Sequence, residues 1–121
     1  MIEKHTVKVS TSGSAGSASG SAVLALPVCE LLALHIDYHA DMPATCDVTI
    51  TAPGSPAELT ILTASNSLTD AWFYPKVQGH DDVGAAVAAY FHPVIHRNLS
   101  IAVAQADALT DGVIVTLYVR T

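Results

Sequence analysis

The stretch VCELLALHIDYH, residues 28–39, decides the fold class of this chain. Its residues alternate between an apolar set, interrupted only by Glu30, and a second set that becomes polar toward its end. Such alternation is typical of a β-strand with one buried face. The leucine-rich middle would also suit a helix, so the neighbouring sequence has to decide between the two.

The residues that follow favour the strand. Pro43 and its polar neighbours predict a turn, and CDVTIT, residues 46–51, is a β-branched, alternating run. A run of this kind so soon after the first indicates a hairpin partner. We therefore predict that residues 28–39 form a strand that pairs with the next one.

Alternation with a period of two extends through most of the chain. It predicts about eight strands, separated by turns at the roughly 8–12-residue spacing of sandwiches and barrels. The predicted fold is all-β: an antiparallel β-sandwich or jelly roll, in a single domain over residues 1–121. HDDVGAAVAAY, residues 80–90, has helical composition, but Gly84 within it favours a turn or a single helical turn.

The Gly/Ser-rich segment near the N-terminus is predicted to be the turn of a hairpin. It starts at residue 12, and ASGSAVLAL, residues 18–26, is the strand that follows it. The small side chains of this strand suit a place where another backbone approaches closely.

The last two strands are predicted to form a second hairpin. Each has one parity rich in Leu, Ile and Val, and we expect these two faces to meet the core together. In this register Ile101 and Leu117 are buried, whereas Ala102 and Thr116 face outward.

The histidines of the opening stretch are of the ligand type that zinc prefers, with an aspartate between them. On a strand, residues two apart are separated by about 6.6 Å and residues four apart by about 13 Å. One ion at roughly 2 Å from each ligand cannot span the longer distance. We therefore interpret His35, Asp37 and His39 as a solvated or interface row on the outer face, while a group from a neighbouring strand could still complete a metal site. His92 and His96 have the same spacing and receive the same interpretation.

WFYP, residues 72–75, contains the single Trp of the chain. On a strand, Phe73 faces one way and Trp72 and Tyr74 the other. We interpret both faces as packed in the core. The alternative is an exposed aromatic face, which protein interfaces favour, and in that case Trp72 and Tyr74 join His35, Asp37 and His39 as candidate interface residues.

Composition excludes several classes of function. Half of the residues are hydrophobic, 13% are charged and the net charge is −6, so the scattered basic residues do not form a nucleic-acid site. No apolar run approaches the roughly 20 residues of a membrane-spanning helix.

Residues 1–10 lack the apolar core of a signal peptide, so we expect a reducing compartment and free, buried thiols at Cys29 and Cys46. No nucleophile, phosphate-binding or dinucleotide motif is present, so neither an enzyme nor a cofactor is predicted.

The order of the strand motifs resembles a family. DVTIT, LTILTASNSLTDAWFYPK and PVIHRNLSIAVAQADALTDGVIVTLYV, within residues 47–119, resemble small proteins encoded with the head genes of tailed bacteriophages. DAWFYP and the closing pair of strands are the most recognisable pieces, whereas the first third fits only as a strand pattern. Residues 80–96 depart from the family, since its members are richer in Gly and poorer in His there.

The resemblance implies a capsid decoration, or cement, protein. Such proteins, some of them jelly rolls, bind the outer capsid surface of the virion as dimers or trimers and stabilise it by bridging major capsid subunits. The implied partners are the major capsid protein and a second or third copy of this chain, after synthesis in the host cytoplasm, with no nucleic acid, membrane or cofactor. The alternatives are a neck or tail component of the same particle, or a His-ligated, metal-dependent jelly-roll enzyme or binding module.

Overall fold

The computed structural model describes residues 1–54 and 57–121, and in these ranges the chain forms eleven strands and no helix. Part of the turn predicted at residues 52–56 therefore lies outside the described residues. The strands are β1 (Ile2–Val9), β2 (Ala18–Ala25), β3 (Cys29–Tyr38), β4 (Asp47–Ala52), β5 (Leu59–Ala64), β6 (Ala71–Phe73), β7 (Val77–His80), β8 (Ala86–Phe91), β9 (Val94–Ile95), β10 (Asn98–Ala106) and β11 (Val113–Arg120).

Nine of the strands in the described residues form two antiparallel sheets. The first sheet has the order β1-β11-β3-β6, with β9 on the beginning of β3, and the second has the order β2-β10-β4-β5. If β7, β8 and β9 are set aside and the others are numbered along the chain, the orders become 1-8-3-6 and 2-7-4-5. This is the strand order of a jelly roll, so the predicted fold class is confirmed.

The core lies between the two sheets and is built by alternation within each strand, which a register shift interrupts in β3, where the buried residues change from Cys29 and Leu31 to Leu34 and Ile36. In β11 the odd-numbered residues are fully buried. In β10 Leu99, Ile101 and Val103 are buried on the Leu/Ile/Val parity, and Ala106 is buried after a register shift. Ile101 and Leu117 are completely buried, Ala102 is exposed and Thr116 is half-buried. The predicted inward and outward positions of these strands are therefore confirmed. Each fully buried aliphatic side chain contributes about 1.5–3 kcal/mol through removal of its surface from water.

The predicted pairing of consecutive strands is wrong in three places. β1 pairs with β11 instead of β2, β3 pairs with β11 and β6 instead of β4, and β10 pairs with β2 and β4 instead of β11. In each case the two consecutive strands lie in opposite sheets and face each other across the core. Two strands that face each other across the core each bury every second side chain, and so do two strands paired in one sheet. The period-two pattern in the sequence is therefore the same for both arrangements.

The Gly/Ser-rich segment is a corner between the sheets and not the turn of a paired hairpin. Ser12 and Ser19 exchange two backbone hydrogen bonds there, each of 3.0 Å, as an isolated bridge, and the backbone N–H of Ser17 donates to the carbonyl oxygen of Ser14 within the turn. A Cβ atom on Gly20 would collide with the carbonyl oxygen of Ser10. The close backbone approach that the small residues predict is therefore confirmed at this glycine.

The segment of helical composition forms a β-hairpin, which we call the arm: residues 77–91, comprising β7, β8 and the turn between them. The turn is stabilised by the Asp81 carboxylate, which accepts hydrogen bonds from the backbone N–H groups of Val83 (3.0 Å) and Ala85 (2.8 Å). Gly84 has a φ of +82°, which favours glycine. The predicted turn is confirmed, but a strand follows it and not a helix.

Candidate functional site

The polar row of the opening stretch lies on the outer face of the first sheet. His35 is half-buried and Asp37 is exposed, whereas Leu34 and Ile36, which alternate with them along β3, are fully buried in the core. His39 follows the end of β3, and its Nδ1 accepts a hydrogen bond from the backbone N–H of Asp41 at 3.0 Å. The outward position predicted for this row is confirmed for the two residues that belong to the strand.

Trp72 is held against this row by β6. His35 and Trp72 are direct cross-strand partners, and their ring centroids are 5.0 Å apart at an angle of 56°. β6 pairs with β3 over three residues. The carboxylate of Asp70 stabilises this pairing, because it accepts a hydrogen bond of 2.8 Å from the backbone N–H of Tyr38. The sheet therefore fixes the position of the Trp side chain.

Tyr118 of β11 is the third member of the group. Its ring centroid lies 5.9 Å from that of Trp72, and the two ring planes are within 24° of parallel. Offset arrangements of this kind are favourable for aromatic pairs. We call His35, Trp72 and Tyr118 the aromatic patch.

Sequence reasoning placed Tyr118 on the outward parity but did not include it in the site. The signal that would have found it is the pairing of β3 with β11, which brings Tyr118 to the strand beside His35. The hairpin predicted for β10 and β11 concealed this neighbour.

The core packing predicted for both faces of WFYP is wrong. Phe73 packs against the core, but Trp72 is 47% exposed and Tyr74 is 64% exposed. The alternative of an exposed aromatic face therefore describes the structure, and the role of these residues in an interface stays a prediction. Tyr74 follows the end of β6, outside the paired residues of the sheet.

Polar side chains surround the patch on the same face of the sheet. They are Lys4 and Thr6 of β1, Asp37 of β3 and Thr116 of β11. Lys4 lies directly opposite Tyr118, and Thr116 lies directly opposite His35. This polar rim offers an ammonium group, two hydroxyl groups and a carboxylate beside the rings, so it can both donate and accept hydrogen bonds.

Beyond the rim, two cations of the outer face are paired. Arg120 donates to the carboxylate of Glu30 at 3.2 Å, and the Lys8 ammonium lies 4.0 Å from the carboxylate of Asp111. Lys4 makes no salt bridge within the described part of the chain. Its ammonium group is therefore available to a ligand on the patch.

The described residues contain no group of three or more His, Cys, Asp or Glu side chains arranged to hold a metal ion. The same part of the chain contains no helix that is long and apolar enough to cross a membrane.

Both cysteines are free and buried, as predicted. Burial raises the pKa of the Cys29 thiol, and the nearby Glu3 carboxylate adds to the effect. Burial, with a contribution from Asp47, raises the pKa of the Cys46 thiol to about 11. Both thiols are therefore protonated at neutral pH and are poor nucleophiles.

No protein-family model and no curated protein matches this chain. Among solved structures, a carbohydrate-binding module of family 29 is similar, with 13% identity and a TM-score of 0.38, over 98% of this chain and 77% of that chain. A variant of such a module complexed with cellulohexaose has 13% identity and a TM-score of 0.38, covering 98% of this chain and 79% of that chain. Another, complexed with mannohexaose, has 13% identity and a TM-score of 0.37, with the same coverage. We assign neither a family nor a ligand from similarity of this degree.

Proposed function

We propose that this protein is a non-catalytic binding protein, and that its aromatic patch binds an extended carbohydrate chain. The observation that carries the proposal is the patch itself. Trp72 and Tyr118 present nearly parallel rings beside His35, on an open sheet face with polar neighbours.

The chemistry of a sugar ring fits this arrangement. A pyranose has faces rich in C–H bonds and an edge of hydroxyl groups. The C–H bonds interact favourably with the negative face of an aromatic ring, and the hydroxyl groups need hydrogen-bonding partners when water is removed. The exposed ring of Trp72 provides an aromatic face for the C–H bonds. The polar rim provides hydrogen-bonding partners for the hydroxyl groups, namely Lys4, Thr116 and Asp37.

The shape of the surface favours a chain over a small molecule. Small molecules bind mostly in concave, largely enclosed pockets, whereas the patch lies across β6, β3 and β11 on the outside of the sheet. Adjacent strands are about 4.8 Å apart, so three strands offer length for more than one sugar unit.

Because Trp72 is the single Trp of the chain, its fluorescence reports on the patch alone. We expect a saturable change in emission on titration with cellulohexaose or mannohexaose, two six-unit chains that serve as the first probes. By calorimetry, Trp72→Ala should abolish binding and Tyr118→Ala should weaken it about tenfold, the equivalent of one aromatic contact of roughly 1.4 kcal/mol.

Tyr90→Ala is the matched control, because Tyr90 is an exposed aromatic residue of the arm and lies outside the patch. It should bind the sugar as the wild type does. The proposal is wrong if neither oligosaccharide binds, or if Trp72→Ala binds as tightly as the unaltered protein.

The second candidate function is the capsid decoration role that the phage resemblance implies. In it the protein bridges major capsid subunits on the outer surface of the virion, or serves as a neck or tail component. The observation that favours it is the apolar surface of the arm, where Val83 is 82%, Tyr90 is 62% and Phe91 is 58% exposed. Exposed apolar surface of this kind marks sites of protein interaction.

Co-sedimentation with empty shells of the major capsid protein tests the second candidate, and mass spectrometry of purified particles gives the copy number. A copy number similar to that of the capsid subunits supports decoration, and a few copies support the neck or tail. Absence from the particles excludes both.

A further inference from the structure

The arm is a two-stranded sheet that belongs to neither main sheet. In the described part of the chain, β7 and β8 pair only with each other. All residues of β8 except Ala89 are exposed, so both faces of the strand are in contact with water. A two-stranded hairpin without a covered face is marginally stable in water, which indicates that the arm has a partner.

The free edge of β8 is unprotected. Exposed edge strands usually carry charged residues or Pro, which prevent pairing with another chain. AVAAYF, the sequence of β8, has neither. Its unpaired backbone N–H and C=O groups can therefore accept one more strand.

The charges at the two ends of the arm are opposite in sign. Asp81 and Asp82 lie at the tip, and Lys76 and His92 flank the base. The Lys76 ammonium lies 3.0 Å from Nδ1 of His92, so the cation is held at the base of the arm. The arm is thus acidic at the tip, uncharged along β8 and basic at the base.

We propose that the arm joins two copies of this chain, by antiparallel pairing of β8 with β8 of the second copy. Antiparallel pairing places the tip of each arm beside the base of the other. Asp82 of each copy then meets Lys76 of its partner, and a twofold axis makes this contact twice. The result is a four-stranded sheet in which the charges are complementary and both β8 edges are paired.

Reversal of the charges tests the pairing. Sedimentation velocity should show a dimer for the wild type. Asp82→Lys alone and Lys76→Asp alone should each raise the dissociation constant about tenfold or more, because each replaces two attractive contacts by two repulsive ones. An equimolar mixture of the two variants should form dimers again, because every contact in the mixed dimer is attractive.

Asp41→Lys is the matched control, because Asp41 is also an exposed carboxylate but lies far along the chain from the arm. This variant should leave the dissociation constant unchanged. Asp81 is left unaltered because its carboxylate stabilises the turn. The proposal is wrong if the wild type is a monomer at about 100 µM, a concentration at which even weak specific dimers form. It is also wrong if either single variant dimerises as the wild type does, or if the mixture stays monomeric.

Discussion

Ile101 and Ala102 are neighbours in β10 that experience opposite environments, since the first is completely buried and the second is exposed. We expect Ile101→Asp to lower the free energy of unfolding by more than about 3 kcal/mol, because it buries a carboxyl group without a partner. Ala102→Asp should cost less than about 1 kcal/mol. Urea denaturation measures both values, and equal losses would show that the outer face of β10 is covered.

The thiol of Cys46 makes stability depend on pH. Because burial raises its pKa from 9.0 to about 11, the unfolded chain releases the proton at a lower pH than the folded chain does. The contribution of the Cys46 thiol to the free energy of unfolding should therefore be constant below about pH 9 and should decrease as the pH rises toward about 11.

Comparison with Cys46→Ala isolates this contribution, since the variant lacks the titrating group but keeps all others. Denaturation curves at several pH values should converge for the two proteins as the pH rises. A constant difference between them at all pH values would show that the thiol ionises equally in both states.

The two histidines of the row differ in their contacts, because the ring of His35 packs against that of Trp72 at an angle of 56°, whereas His39 follows the end of β3. We expect His35→Gln and His39→Gln each to change the free energy of unfolding by less than about 1.5 kcal/mol, since both side chains are only half-buried. The fluorescence of Trp72 should change in the first variant and not in the second. Loss of a bound metal in either variant would contradict the interpretation of the row.

Gly20 is needed where the corner after β1 approaches β2. Gly20→Ala should lower the free energy of unfolding by about 1–3 kcal/mol, because its Cβ atom meets the carbonyl oxygen of Ser10 and the backbone has to move. Ser21→Ala, at an exposed position of the same strand, is the control and should change it by less than about 0.5 kcal/mol. Thermal or urea denaturation measures both, and equal effects would show that the corner yields easily.

The buried residues of β10 and β11 could be predicted from the sequence, but those at the beginning of β3 could not. There the predicted core residue Val28 is 62% exposed and Cys29 and Leu31 are buried instead, because the register with β11 shifts after Leu31. Which strands are paired could not be predicted either. The parity of β10 and β11 identified Ile101 and Leu117 as core residues, because burial depends on the alternation within one strand. Pairing depends on partners far away in the chain, such as β1 with β11. The aromatic patch combines three such strands, so its members could be placed on an outer face but not brought together.

The arm and β11 differ in whether the jelly roll needs them in order to fold. Replacement of the arm, residues 77–91, by a short Gly/Ser linker should leave the jelly roll folded, because the arm pairs with neither main sheet. Removal of residues 113–121 should abolish folding, because β11 is the central strand between β1 and β3 and supplies four fully buried side chains. Circular dichroism with thermal denaturation distinguishes the two, and a folded protein without β11 would contradict the topology.

The central place of β11 also has a consequence for biosynthesis. The ribosome makes β1 and β3 long before β11, so both strands emerge from the exit tunnel with the neighbour between them still missing. The first sheet cannot close until the residues after Asp111 are translated, and the two apolar faces stay exposed until then. Folding of this chain is therefore completed only after β11 has left the tunnel, and until then the unpaired edges of β1 and β3 are prone to aggregate.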